Sequence, residues 1–387
     1  MSEREQRPPG ALAGIRVVDL TRILAGPFCT QLLADMGADV IKIETGRGDP
    51  VRGQGTMVAG ESAYFAQFNR NKRSVVLDLY TNTDKDTLTA LLKSADVVVE
   101  NYRPGVFAEM GYTPEFLEQL NPQLIHGSVN GYGTSGPYVD RPSFDFIAQA
   151  MSGFMAVNGD PGGPARRAAP PMSDLIAGLY CAFGIVSALQ ARHTTGRGQT
   201  VDTSLTGGLM CMLAYLSAET LNTGQNPART GNDHPIASPY GLFEASDGQI
   251  AVAPSNDTYV ERFLEALGAL ELLQQEDYKD NAARVANRES LNAEINAITA
   301  QRSVAHWIQA INNAGCPCGR VMELAEVFAD PQVHAQEMVI EWQSAGGTPV
   351  RVTGFPVKLS DTPCSLRIPA PKLGEHTQEV LDEIART

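Results

Sequence analysis

The first 130 residues alternate short β-branched runs with stretches of helical period. Ile15–Leu20 reads as a buried strand. Pro27–Met36 reads as a helix, with Pro27 in its first turn and Gly37 just past its end. Further strands are predicted at Val40–Ile43, Ser74–Leu79, Val97–Val99 and Leu124–Val129, and helices at Thr83–Ser94 and Pro114–Leu120. Repetition of this kind implies a parallel sheet with right-handed crossovers, an α/β fold of Rossmann-like type. No Gly-x-Gly-x-x-Gly follows any of these strands, and Gly131-Tyr132-Gly133 alone is weak support for a dinucleotide.

Asp174–Ala191 is apolar around nearly the whole helical circumference, which predicts a helix enclosed within a large structure. Arg192 and His193 suit its negative end, and Gly196 terminates it. Polar turn residues at Asn222–Pro227 mark a boundary. Beyond it Tyr240–Ala245 and Ile250–Pro254 form a predicted hairpin about Ser246-Asp247-Gly248. Helices follow at about 256–267, 287–299 and 303–314, and Gly374–Ile384 is a short amphipathic tail helix. The expected organisation is a large Rossmann-like domain over 1–220, a smaller α+β domain over 221–325, and a return segment over 326–387 that completes the large domain.

Composition narrows the function classes. Residues of hydrophobic type make up 43% of the chain, enough for a sizeable core. The net charge of −14 argues against a general nucleic-acid binder, so any anionic ligand must be held by a local basic patch. No apolar run is read as approaching the roughly 18–20 residues that cross a bilayer, so no membrane partner is expected. Six sparse cysteines and a Met-Ser-Glu-Arg-Glu start without an apolar leader favour a reducing cytoplasm. Cys316-Pro317-Cys318 is the only close pair and the histidines are scattered, so a zinc site is not expected.

Three features could carry chemistry. Asp174 opens the apolar helix, where backbone N–H groups and the dipole favour an anion. Position alone favours an N-cap, and the alternative is a carboxylate nucleophile kept ionised by those donors, which the apolar character of the helix supports. Gly178 and Gly184 would let another backbone or a ligand approach that helix. Arg22, Arg47, Arg73 and Arg103 are read as following strands at their carboxyl ends, where open α/β sheets bind ligands, although Asn71-Lys72-Arg73 also precedes the strand at Ser74–Leu79, which leaves its side of the sheet open. They are either solvated charges or the offset for a nucleotide's phosphates. Gly131–Tyr138 is a glycine-bearing loop with neither the lysine of a P-loop nor a nucleophile elbow.

Several longer motifs then stand in order: Leu12–Arg22, Leu24–Pro27, Gly37–Glu44, Asn69–Ser74, Glu100–Gly105, Gly131–Pro137, Gly196–Gln199 and Leu373–Thr377. Together they resemble the class III coenzyme A-transferases, the CaiB/BaiF family that includes formyl-CoA transferase and carnitine CoA-transferase. The resemblance implies a Rossmann-type domain built from both chain ends, a smaller inserted domain, and an interlocked homodimer. It implies coenzyme A and acyl-CoA as substrates, with no metal and no permanently bound cofactor. The family's aspartate nucleophile falls on Asp174, which would pass through an aspartyl anhydride and an aspartyl-CoA thioester.

Coenzyme A contacts carry over onto Leu24 and Ala25, Thr45, Leu77, Leu79 and neighbouring Tyr80, and Asn101, Tyr102 and Arg103. Thr45 and Glu109 stand where formyl-CoA transferases have basic residues, so phosphate recognition is expected to move to Arg47 or Arg103. The glycine-rich loop of those enzymes is absent from 230–240. The α-methylacyl-CoA racemases of the family use a histidine where this chain has Phe144, which cannot move a proton. A transferase is therefore favoured over a racemase or epimerase. Asp145 is read as a coenzyme A contact, as a support for Asp174, or as a structural hydrogen-bond acceptor for a loop backbone. The closest likeness is to members that use succinyl-CoA and dicarboxylic acids, and Arg166, Arg167 and Arg229 are candidates for a second substrate carboxylate.

Overall fold

The computed structural model describes residues 9–386, and the Met-Ser-Glu-Arg-Glu start lies outside them. The chain divides into two compact units. One gathers the residues up to Phe154 with Arg167–Ala218 and Pro331–Thr387, and the other comprises Met155–Arg166 and Glu219–Asp330.

The larger unit is built on a six-stranded sheet. Its strands are β1 (Arg16–Asp19), β2 (Asp39–Glu44), β3 (Lys72–Val76), β4 (Val97–Glu100), β5 (Ile125–Asn130) and β6 (Thr200–Ser204), in spatial order β3-β2-β1-β4-β5-β6. Every pairing is parallel. The order reverses between β1 and β4, and a crevice at such a reversal, outside the carboxyl ends of the strands, is where doubly wound sheets take ligands.

Side-chain alternation along the strands feeds two cores. On one face Val17, Val97 and Val99 pack with Cys29 and Leu33 of α1 (Ala25–Asp35). On the other, Val18, Ile41 and Val98 pack with Leu88, Leu91 and Leu92 of α3 (Asn82–Ser94). Between these helices in sequence lies α2 (Ala63–Asn69), capped by Ser62. The unit also holds α4 (Pro114–Leu120), α5 (Asp145–Met151), α6 (Met172–Thr195) and α7 (Leu205–Cys211).

Helix α6 corrects two expectations. It is 24 residues long, and by length and composition it is apolar enough to cross a membrane, contrary to the reading that no such run exists. It is also not enclosed all round. Ala177, Cys181 and Ile185 are buried against α1 and the sheet, while Leu179, Phe183 and Val186 are exposed. The covered face is that of a core helix, and the opposite face leaves apolar side chains exposed.

The smaller unit carries the predicted hairpin, β7 (Gly241–Ala245) and β8 (Gly248–Val252), with β9 (Cys318–Arg320) pairing antiparallel to β8. Its core sets Phe243, Ile250 and Val252 against α8 (Asp257–Leu267), α9 (Arg288–Thr299) and α10 (Val304–Asn313). Back in the larger unit, β10 (Val339–Gln343) and β11 (Pro349–Thr353) form a hairpin whose Val350 and Val352 pack on Ala66 of α2. Helix α11 (Thr377–Ala385) then buries Val380 against the α3 face of the sheet. The segment before it lines the outer edge of β3. The His376 N–H donates to the Ser74 carbonyl at 2.9 Å, and the Val76 N–H donates to Thr377 Oγ at 3.1 Å.

Candidate active site

The turn from β1 into α1 is held by side chains on every side. The Arg22 N–H donates to Asn101 Oδ1 at 2.9 Å, and Asn101 Nδ2 donates back to the Arg22 carbonyl at 2.8 Å. Lys42 Nζ donates to the Thr21 carbonyl at 2.8 Å, and the Ile23 N–H reaches the two Asp49 carboxylate oxygens at 3.2 and 3.3 Å. Ile23 has φ 72°, a left-handed conformation that a β-branched residue adopts only when its surroundings enforce it. The enforcing groups rest on buried charge: Lys42 pairs with Asp49 at 3.0 Å and Lys72 with Asp19 at 3.0 Å, all four side chains fully buried. Burial alone would disfavour the Asp19 anion, but Lys72 and Lys42 outweigh it and hold its carboxyl below the usual range. Burial has the upper hand at Lys72 and brings its ammonium down to about 8.

Asp174 faces this turn across a cavity. It lies in the first turn of α6, but the N-cap position is Pro171, which offers no side-chain cap. The capping work is done by Asp145. Its Oδ1 accepts from the Ser173 N–H at 3.0 Å and from Ser173 Oγ at 2.8 Å, and its Oδ2 accepts from Gln149 Nε2 at 2.7 Å. Helix α6 approaches α1 closely, because a Cβ at Gly178 would run into the Ala25 carbonyl oxygen. The expectation that backbone donors keep Asp174 ionised is overturned. Burial, with the negative charge of Asp145 added, pushes its carboxyl up to about 7. Tyr64 of α2 also feels this carboxylate: burial first, then Asp174 and Asp49, raise its phenol to about 12.

The cavity at Asp174 measures about 390 Å³ and is lined by Arg22–Ala25, Asn101–Pro104, the end of β5, Val139, Arg141–Phe144 and Leu205. A second cavity of about 580 Å³ shares Arg22 and Tyr102 with it and runs past Thr45, Leu77, Leu79, Tyr80, Lys85 and Glu109. The first lies outside the carboxyl ends of β1, β4 and β5 and the second outside those of β1, β2 and β3, both beside the reversal of strand order.

Leu24, Ala25, Asn101, Tyr102, Arg103 and Asp174 therefore share the first cavity, and Thr45, Leu77, Leu79 and Tyr102 the second. Three expectations need correction. Arg47 is exposed and lines neither cavity. Asp145 is buried outside both, its oxygens already accepting bonds from Ser173 and Gln149, so it supports α6 instead of presenting itself to a ligand. Arg73 does not sit at the carboxyl end of the sheet. It pairs with Asp39, the first residue of β2, at 2.7 Å and with Glu383 of α11 at 2.7 Å. Asn101 spends its side-chain amide on the Arg22 backbone.

Of the arginines considered for a second carboxylate, Arg166 and Arg229 belong to the smaller unit. Arg166 pairs with Asp160 at 3.5 Å, and Arg229 donates to the carbonyls of Ala156 and Gly163 at 3.0 and 2.6 Å. Arg167 of the larger unit donates to the Ala169 carbonyl at 3.4 Å and does not line the Asp174 cavity.

Two cations were missed from sequence. Lys85 lies on the first turns of α3, one turn beyond Leu79 and Tyr80, and Arg141 lies four residues before Asp145. Among the described residues no carboxylate pairs with Arg22, Lys85, Arg103 or Arg141, whereas Arg16, Lys42, Arg52, Arg70, Lys72 and Arg73 are all paired. Four cations without a carboxylate partner, around two cavities that share lining residues in an acidic protein, form the local basic patch that an anionic ligand requires. Among the described residues no cluster of His, Cys, Asp and Glu is suited to a metal ion.

Comparison with known proteins agrees with this geometry. The pattern that defines CoA-transferase family III matches residues 12–377. An acetyl-CoA:oxalate CoA-transferase of Acetobacter aceti is 39% identical over 383 residues, covering 98% of this chain and 97% of that protein. A succinate–glutarate CoA-transferase of Agrobacterium fabrum is 38% identical over 387 residues, covering 98% and 96%. The crystal structure of a CaiB/BaiF family protein from Brucella suis, 37% identical, superimposes with a TM-score of 0.86 over 97% of this chain and 100% of that one. The chain belongs to CoA-transferase family III and is an enzyme that transfers coenzyme A between acyl-CoA thioesters and carboxylic acids.

Proposed function

We propose that Asp174 is the nucleophile, that succinyl-CoA is the donor and that a dicarboxylic acid is the acceptor. The observation that carries this reading is a carboxyl raised to about 7 in a cavity that shares Arg22 and Tyr102 with a second one, both edged by cations without a carboxylate partner. A carboxylate of raised pKa is a stronger nucleophile than a solvated one, and near neutral pH enough of it is ionised to react. Its oxygen attacks the thioester carbonyl, the C–S bond breaks, and the coenzyme A thiolate leaves a mixed anhydride on Asp174. The thiolate then attacks the aspartyl carbonyl and expels the donor's acid as its carboxylate. The acceptor carboxylate attacks the resulting aspartyl thioester and releases the thiolate. In the last step the thiolate takes the new acyl group and frees Asp174. Each intermediate hydrolyses if water enters, which favours a partly buried site.

In this reading the nucleotide end of coenzyme A lies in the second cavity, with Lys85 and Arg22 toward its phosphates and Thr45, Leu77 and Leu79 as its wall. Arg47 is left without a contact. The names of the oxalate and glutarate relatives support an acid with two carboxylates as acceptor. A homodimer is part of the same proposal. Leu179, Phe183 and Val186 on α6, with Phe146 and Met151 on α5, leave apolar surface that a second copy would cover.

The test is intact-protein mass after incubation with succinyl-CoA and quenching with hydroxylamine or borohydride. The expected result is an adduct that maps to Asp174 and is lost in Asp174→Ala. Exchange of α-deuterium without an adduct would replace this reading with the racemase one.

A further inference from the structure

We infer that Arg141 is the group that binds the second carboxylate of the acid substrate, which makes it a determinant of selectivity for dicarboxylic over monocarboxylic acids. The inference rests on the transferase reading above. Of the three cations without a carboxylate partner in the Asp174 cavity, Arg22 and Arg103 follow β1 and β4, and Arg22 is shared with the cavity assigned to the nucleotide end. Arg141 belongs to the other wall, Val139 and Arg141–Phe144, and does not touch the second cavity.

The loop that carries it is fixed at both ends. At its start, Asn130 Nδ2 donates to Asp202 Oδ1 of β6 at 2.7 Å, and Thr134 Oγ donates to Asp202 Oδ2 at 3.0 Å. At its end, Asp145 is bonded to Ser173, the residue before Asp174. Four residues separate Arg141 from that anchor, so their Cα atoms lie within about 14 Å. Within the loop, the Arg141 guanidinium lies 3.8 Å from the centre of the Tyr138 ring, and Tyr132 meets that ring edge-on at 5.6 Å. The Arg141 N–H donates to the Tyr138 carbonyl at 2.9 Å.

The result is a cation held on an aromatic face, in no ion pair with a carboxylate among the described residues, on a wall tethered to the start of the nucleophile's helix. A guanidinium presents paired donors that match a carboxylate. An acid whose reacting carboxylate is at Asp174 then has a binding site for its distal carboxylate at Arg141. A monocarboxylic acid leaves that cation without a partner.

The test compares glutarate with valerate, and adipate with hexanoate, as acceptors of coenzyme A from succinyl-CoA in the wild type, Arg141→Gln and Arg141→Lys. Wild type is expected to favour the dicarboxylate by about 10–100-fold in kcat/KM, the worth of a charge-assisted bond. Arg141→Gln should bring that ratio to about threefold or less, and Arg141→Lys should fall between. Equal losses with both acids, or an undiminished ratio in Arg141→Gln, would overturn the inference while leaving the transferase reading intact. Absence of any Asp174-dependent transfer in the wild type would instead remove the reading on which it rests.

Discussion

Replacing Asp174 by Asn removes a charge that the fold disfavours, so the variant is expected to lose activity and gain stability. The carboxyl sits at about 7 against an ordinary 3.8, a gap of about three units. At about 1.4 kcal/mol per unit the ceiling is ~4 kcal/mol, and residual solvent exposure with local relaxation lowers it to ~2–4 kcal/mol. The sign follows from proton counting. Between pH 4 and 7 the folded state keeps the Asp174 proton that the unfolded state has released, so wild type loses stability as pH rises through this window. An asparagine does not titrate. The advantage of Asp174→Asn should therefore be small at pH 4, grow by up to about 1.4 kcal/mol per pH unit, and level off above pH 8. For a unit of this size, roughly 2 °C per kcal/mol gives a rise in Tm of about 4–8 °C at pH 8. Thermal melts of both proteins at half-unit steps from pH 4 to 8.5 check it, since other titrations cancel in the difference. A gain equal at pH 5 and pH 8, or a lower Tm for the variant at pH 8, would refute the reasoning.

Four other outcomes are expected. The rate of adduct formation with succinyl-CoA should rise with pH through about 7 and then level off, because only ionised Asp174 attacks; stopped-flow thiol release at a series of pH values measures it. Asn101→Ala strips the Arg22 N–H and carbonyl of their partners, so it should cost ~1–3 kcal/mol in urea unfolding and lower kcat about tenfold as the Ile23 turn relaxes. Gly178→Ala places a methyl group against the Ala25 carbonyl and should destabilise by ~1–3 kcal/mol, with a matching loss of adduct yield. Lys85→Gln should raise KM for acyl-CoA by about 5–10-fold at low salt and by less at high salt, as steady-state rates at two ionic strengths would record.

The strands were legible where burial on both faces writes a plain apolar run: Val17-Val18, Val40-Ile41 and Val97–Val99 all lie at the centre of the sheet. Strand β6 was missed because Thr200–Ser204 is largely polar and stands at the sheet's edge, where one neighbour is enough to define it. The close approach at Gly178 was legible, since a glycine inside an apolar helix has few other uses. Whether α6 is covered all round was not. An apolar circumference looks the same whether the last face meets the chain's own core or is left exposed. In the site, Asp174 could be found by its place at the start of α6, but Asp145's bonds to Ser173 span 28 residues and leave no local trace. Lys85 and Arg141 became visible only when it was clear which other cations had partners. Arg73 misled for the same reason, because its partners Glu379 and Glu383 stand some 300 residues away.

The edge of β3 carries a consequence for how the protein is made. Its Ser74 and Val76 backbone groups are satisfied by His376 and Thr377, and Arg73 and Arg16 both reach Glu383. During synthesis the rest of the sheet can assemble long before those partners leave the ribosome. A nascent sheet thus waits with one bare strand, able to pair with a neighbouring polysome's product, until the distant segment arrives to shut it. The order of translation, more than the strength of any one contact, sets the interval in which this chain is most prone to aggregate.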